Sequence, residues 1–249
     1  VIPRRQDKRL EAVIFDVDGT LVDSERDGHR VAFNLAFQAA GLLDRWDVPT
    51  YGKLLEITGG ERRLTYWFER RGRSMDEARE RAAELHKKKT EIMRGLVIQG
   101  RIPPRPGARR LVADVRASGA QVHVATTGTR AWVEPLLHQV FGRTFQVVVT
   151  GTEVRELKPN PAVYRAVIEH AACDPARTVA VEDSLNGLRA ATGAGLRCVV
   201  ASNVYTREQD FAGAALTADG LDDPALVAWF SRRLPFAESG PRRAVAKRA

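Results

Sequence analysis

Cysteine is scarce in this chain of 249 residues, which holds two, Cys173 and Cys198, too few and too far apart for a disulfide framework. Cys198 lies in the apolar run Cys198-Val199-Val200, so a reduced, buried pair is expected. The five histidines have no zinc-type spacing, which removes a structural zinc module. No apolar run approaches the roughly 18 residues of a membrane span, and no charged-then-apolar leader opens the sequence. The expectation is an aqueous compartment: the cytoplasm, or the plastid stroma if a targeting peptide has been removed. Positive charge is not lacking, but it is confined to the ends. Of the formal +8, residues 1–9 carry +3 and residues 241–249 carry +4, which leaves +1 for the body. A nearly neutral body without a nucleic-acid reading motif argues against a nucleic-acid partner, and solvated basic tails account for the charge.

With 44% hydrophobic residues the chain can bury a full core. From Ala120 onward, short β-rich runs alternate with helical patterns: 122–125 then 131–141, 146–149 then 161–171, 178–181 then 185–194, and finally 196–201. That alternation predicts a parallel sheet wound on both faces. The early strand at 12–15 has no such near partner. Between it and a helix at 107–118 the periodicity is helical, with stripes at Val31, Leu35, Ala36 and Ala39, at Leu64, Trp67 and Phe68, and at Ala78, Ala82 and Leu85. A helical insertion is expected, entered near Val22 and left near residues 100–106, and lying over the strand ends where open α/β sheets bind ligands.

Four polar signals fall at the carboxyl ends of the expected strands. They are Asp16 and Asp18 in Phe15-Asp16-Val17-Asp18-Gly19-Thr20, then Thr126, then Lys158, then Glu182-Asp183. Each has an ordinary reading alone: an Asp-Gly hairpin, a helix cap, an exposed loop charge, an N-cap with acidic first-turn residues. Capping chemistry does not produce all four in this order. Paired carboxylates can attack phosphorus and move a proton, whereas four carboxylates in one crevice repel unless positive charge compensates them. Mg²⁺ and Lys158 would supply that charge, with Asp16, Asp18, Glu182 and Asp183 as the candidate metal residues.

These motifs, Asp-Val-Asp-Gly-Thr, Thr126, Lys158-Pro159 and Glu182-Asp183-Ser184, resemble those of the haloacid dehalogenase superfamily, over about Glu11 to Pro224. Within it the chain is similar to the CbbY group, xylulose-1,5-bisphosphate phosphatases, through Asp27-Gly28-His29-Arg30, Thr58-Gly59-Gly60, Arg105-Pro106-Gly107 and Tyr205-Thr206, among others. The resemblance implies an α/β fold with a Rossmann-like doubly wound parallel sheet core (1–22 and 100–240), an inserted helical cap domain (23–99) and a basic tail (241–249). It implies a Mg²⁺-dependent sugar-phosphate phosphatase with Asp16 as nucleophile and Asp18 as general acid and base; a small-molecule sugar-phosphate partner and a monomer are expected. Asp183 and the Asp18 main-chain carbonyl would help to hold Mg²⁺, while Thr126 and Lys158 hold phosphoryl oxygens. Substrate contacts are expected from Asp23, Glu25, His29, Gly59, Gly60, Arg62, Arg63, Lys89, Thr127, Gly128 and Asn186. Arg62, Arg63 and Lys89 are the candidate clamp for a second phosphate. Two departures from the group, Glu61 after Gly59-Gly60 and the absence of Asn in Thr127-Gly128-Thr129, touch phosphate-contacting stretches. The alternatives are a phosphatase for phosphoglycolate or a hexose phosphate, and a β-phosphoglucomutase-type isomerase.

Overall fold

The computed structural model describes residues 9–57 and 59–234, so Thr58 and all of the basic tails except Arg9 lie outside the described residues. Strand β1, Ala12–Phe15, is followed by a π-helical turn, Ser24–His29, and the helices α1 Arg30–Ala39, α2 Val48–Leu54, α3 Gly60–Glu69 and α4 Met75–Ile98. The chain then alternates through α5 Ala108–Ala117, β2 Gln121–Ala125, α6 Arg130–Phe141, β3 Val147–Val149, α7 Ala162–Ala171, β4 Thr178–Glu182, α8 Leu185–Gly193 and β5 Arg197–Ala201. β6, Leu216–Ala218, and α9, Pro224–Ser231, complete it. The sheet order is β3-β2-β1-β4-β5-β6, and every pairing is parallel. Strand order reverses between β1 and β4, and that switch point is where the loops diverge and leave a crevice.

Alternate strand residues feed opposite faces, as the pleat requires. Val13, Phe15, Val122, Val124, Val179 and Val181 pack with α5, α6 and α9, while Ile14, Ala125, Ala180, Cys198 and Val200 pack with α7 and α8. The insertion gathers its own cluster, in which Phe33 and Phe37 of α1 meet Trp46, Tyr51, Leu64 and Phe68. Its two connections to the sheet pair with each other: Val22 bridges Pro104, and Arg105 N–H donates to the Leu21 carbonyl at 3.0 Å.

Two expectations, for α1 and for Cys173, need correction, and two elements have no counterpart in the sequence pattern. The stripe expected on α1 is rotated, since Ala32, Phe33, Ala36 and Phe37 are buried while Leu35 is exposed; two phenylalanines four apart bury more apolar area than Val31 and Leu35. β6 and α9 were not anticipated, because β6 has three residues and α9 is apolar on all sides, so neither shows a period. Cys198 is buried as expected but Cys173, just past α7, is only partly so, and both are free thiols. The N-cap of α6 is Thr129, so the ordinary reading of Thr126 as that helix's cap does not hold. No described helix is long and apolar enough to cross a membrane.

Candidate active site

β1 and β4 are neighbours in register, Phe15 opposite Val181, so Asp16, just past β1, and Glu182, the last residue of β4, emerge side by side. Asp16 and Glu182 are thereby brought together, and Lys158 bridges them. Its Nζ donates to Asp16 Oδ1 at 2.6 Å, to Glu182 Oε1 at 2.6 Å and to the Ala125 carbonyl, at the end of β2, at 2.8 Å. Tyr164 on α7 donates its hydroxyl to the same Glu182 oxygen at 2.5 Å. All of these groups are nearly dry, with the Lys158 side chain 6% exposed. Burial alone would draw the Lys158 ammonium down, but the carboxylates of Asp16 and Glu182 outweigh it and hold the proton more firmly than in water. Glu182 is pushed up to about 7 by burial, against the pull of Lys158. Asp183 stands well above the carboxylate range through burial and the charges of Asp16 and Glu182.

Asp16, Glu182 and Asp183 each offer an oxygen within 4.8 Å of the other two. Three carboxylates around one ammonium leave negative charge uncompensated, so the donor set suits a hard divalent cation. Asp183 takes a 2.6 Å hydrogen bond from Asn203 Nδ2 on one oxygen and faces the Thr20 hydroxyl at 3.5 Å with the other. The Asp18 carboxylate is not part of this group, which corrects the four-carboxylate expectation. It turns instead toward the π-helical turn, where Ser24 hydrogen-bonds Oδ1 and His29 Nε2 lies 3.9 Å from the same oxygen. The wider π turn puts residues five apart on one side, which lets Ser24 and His29 meet one carboxylate. Burial first, then the negative charges of Asp16 and Glu25, push Asp18 up to about 8. Near neutral pH it therefore carries a proton.

Above Asp18 the insertion supplies basic groups. Lys89 of α4, 8% exposed, approaches His29 Nδ1 at 2.9 Å, and its ammonium lies 4.8 Å from the centre of the Phe33 ring. Burial, followed by Lys89 and Arg63, keeps the His29 imidazole well below its ordinary value, so it is neutral. Since an ammonium only donates, Nδ1 accepts and the ring proton sits on Nε2, toward Asp18. Lys89 itself is lowered to about 8 by burial, opposed by Glu25. Tyr51 donates to Glu25 Oε2 at 2.6 Å, and Arg63 donates from Nη1 to the Tyr51 hydroxyl at 3.3 Å and from Nε to the Ile57 carbonyl at 2.8 Å.

Comparison with known proteins identifies the family. A model of haloacid dehalogenase-like hydrolases matches residues 10–195. The chain belongs to the haloacid dehalogenase-like hydrolase family. Protein CbbY of Cereibacter sphaeroides is 41% identical over 232 residues, 92% of this chain and 100% of that one. A crystal structure of a mutant CbbY from Rhodobacter sphaeroides in complex with xylulose-(1,5)bisphosphate superposes with a TM-score of 0.72 at 42% identity, over 85% of this chain and 95% of that one. A phosphoglycolate phosphatase from Pseudomonas fluorescens is 30% identical over 216 residues, 84% of this chain and 76% of that one. The protein is a phosphoric monoester hydrolase, a haloacid dehalogenase-like enzyme similar to CbbY.

Of the residues singled out in the sequence, the hydrolase fold gathers most but not all. Thr126 is fully buried, with Oγ1 accepting from Gly128 N–H at 3.1 Å, and a Cβ on Gly128 would come within 3.2 Å of Asp18 Oδ2. Thr127 follows in the same partly buried turn. Gly59 adopts φ 95° and Gly60 opens α3 against His86 and Phe33, where a Cβ would lie about 3 Å from both rings. Asp23 is buried, raised by desolvation, and pairs with Arg26 at 3.3 Å at the entry to the π-helical turn rather than with anything in the cluster. Arg62 is exposed, and so is Asn186 in the first turn of α8. Tyr164, Ser24, Tyr51 and Asn203 were missed as site residues. Tyr164 was legible only as an apolar position of α7, and Asn203 only as the residue two before Tyr205.

Proposed function

We propose that the protein is a Mg²⁺-dependent sugar-phosphate phosphatase working through an aspartyl-phosphate on Asp16, with xylulose-1,5-bisphosphate as substrate. The observation that carries the chemistry is the division of labour between two aspartates two residues apart. Asp16 is held by Lys158 in an ionic cluster, and Asp18 is set apart and protonated beside Ser24. Asp16, Glu182 and Asp183 would hold Mg²⁺ with the Asp18 carbonyl, and all-oxygen donors fit that ion. When bound, Mg²⁺ would neutralise the clustered negative charge and that of the phosphoryl group.

Asp16 attacks phosphorus as the ester bond breaks, and Asp18 gives its proton to the departing alkoxide. Asp18, now ionised, takes a proton from the water that attacks the aspartyl-phosphate, which frees inorganic phosphate and restores Asp16. Lys158 and Thr126 hold equatorial phosphoryl oxygens, where most of the transition-state charge lies. Arg63 and Lys89, on the insertion, would meet a second phosphate. The likeness to a CbbY solved with xylulose-(1,5)bisphosphate supports this substrate.

Purified enzyme with Mg²⁺ is expected to release phosphate from xylulose-1,5-bisphosphate with kcat/KM at least about tenfold above phosphoglycolate and hexose phosphates. An isomerised sugar phosphate in place of free phosphate would make it a mutase, and no preference for the bisphosphate would remove the substrate assignment.

A further inference from the structure

We infer that Asn203 is a positioning residue for Asp183, holding that carboxylate in the orientation in which it joins Asp16 and Glu182 around a divalent cation; the inference rests on the metal reading proposed above. Asn203 Nδ2 donates to Asp183 Oδ2 at 2.6 Å and to the Gly19 carbonyl at 3.2 Å. Which end of the amide faces Asp183 is decided by its other end, since Oδ1 accepts from Tyr205 N–H at 2.8 Å and only the oxygen can do so.

The position of Asn203 is itself over-determined. Its N–H donates to the Thr206 hydroxyl at 3.0 Å, and its carbonyl accepts from the N–H groups of Thr206 and Arg207 at 3.1 and 3.0 Å. One residue earlier, Arg105 donates to the Ser202 carbonyl at 2.6 Å and to that of Ala201 at 2.9 Å, while also reaching the Gly19 carbonyl. The loop after β5 is thus bolted to the loop after β1, with Asn203 projecting between them. A side chain at Gly19 would collide with both Asp183 and Asn203, so the arrangement requires that glycine. Asp183 needs such a restraint. Once ionised to receive a cation, three neighbouring carboxylates repel one another, and the Thr20 hydroxyl at 3.5 Å is too distant to resist it. Partners of metal ligands act on affinity through orientation in this way.

The test is a titration of metal-free enzyme with Mn²⁺, followed by the loss of the free-ion paramagnetic resonance signal, without substrate. Asn203→Ala is expected to raise the Mn²⁺ dissociation constant about 10- to 100-fold, and to raise the half-saturating Mg²⁺ concentration for turnover by a similar factor. At saturating Mg²⁺ the KM for the sugar phosphate stays within about twofold, which a general loosening of the site would not allow. Asn203→Ser keeps an oxygen for Tyr205 N–H but is too short to reach Asp183, so it separates the turn from the contact and should lose Mn²⁺ affinity equally. Should Asn203→Ala fail to fold, Asn203→Ser decides. Wild-type Mn²⁺ affinity in folded Asn203→Ser overturns the inference alone, and a wild-type enzyme that binds no Mn²⁺ overturns it together with the metal reading.

Discussion

Asp16 has two neighbours that would survive its loss of charge. In Asp16→Asn the buried Lys158 ammonium still pairs with Glu182 at 2.6 Å, so the cluster keeps a compensated cation and the protein should fold. Turnover is expected to fall by at least about three orders of magnitude, because the proposed covalent route disappears; circular dichroism beside a phosphate-release assay checks both halves. At Asp18 the proposed mechanism uses the proton. With Asp18 at about 8, leaving-group protonation is available below that pH and lost above it, so kcat should decline on the alkaline side. Glu25 is one of the charges that raise Asp18, and Glu25→Gln is expected to move the alkaline limb to lower pH. A pH profile that does not move would remove Asp18, or its coupling to Glu25, from the mechanism.

At the scale of elements, the site depends on how α8 starts and where the insertion places its cations. Gly187, in the first turn of α8, lies against the Glu182 carboxylate so closely that a Cβ would overlap it. Glu182 cannot give way, being held by Lys158 and Tyr164. Gly187→Ala should therefore displace the Lys158 partner and lower kcat by at least about tenfold, with secondary structure retained by circular dichroism. For the insertion, Arg63→Ala is expected to weaken a bisphosphate substrate by about 1.5–3 kcal/mol, the scale of a hydrogen bond to a charged group, and to leave a poor monophosphate substrate nearly unchanged. Equal losses in kcat/KM on both would show that Arg63 serves Tyr51 and the Ile57 carbonyl rather than a phosphate. The element at the site that sequence reasoning could not supply is the π-helical turn. Nothing in Ser24 to His29 distinguishes five-residue from four-residue spacing, and the difference decides whether both ends reach Asp18.

For the molecule as a whole, the site is a local excess of buried acid that opposes folding once ionised. Asp18 and Glu182 lie at about 8 and about 7 in the folded protein, against 3.8 and 4.5 ordinarily. An unfolded chain releases those protons near pH 4 and the folded one keeps them, so the stability they contribute is present in acid and lost as pH rises from about 4 to about 8. A cation that needs ionised carboxylates works in the opposite sense, and the Mg²⁺-induced rise in Tm should be larger at about pH 8 than at about pH 5.5. Equal shifts by scanning fluorimetry would contradict a carboxylate metal site. Much of this was legible without coordinates. Asp16, Asp18, Lys158 and Glu182-Asp183 are short motifs punctuating apolar runs, and a parallel sheet must present the ends of its strands on one side, so residue order alone determined that these groups would converge. Tertiary structure decided the pairings. Asn203 follows Asp183 by twenty residues and Lys158 precedes Glu182 by twenty-four, and local sequence carries no record of which side chains meet across such gaps. Those contacts depend on strand register and on how each loop is pinned, and they separate the Asp18 carboxylate from the three that can hold a metal, a division that the residue pattern alone did not make and that only the family resemblance suggested.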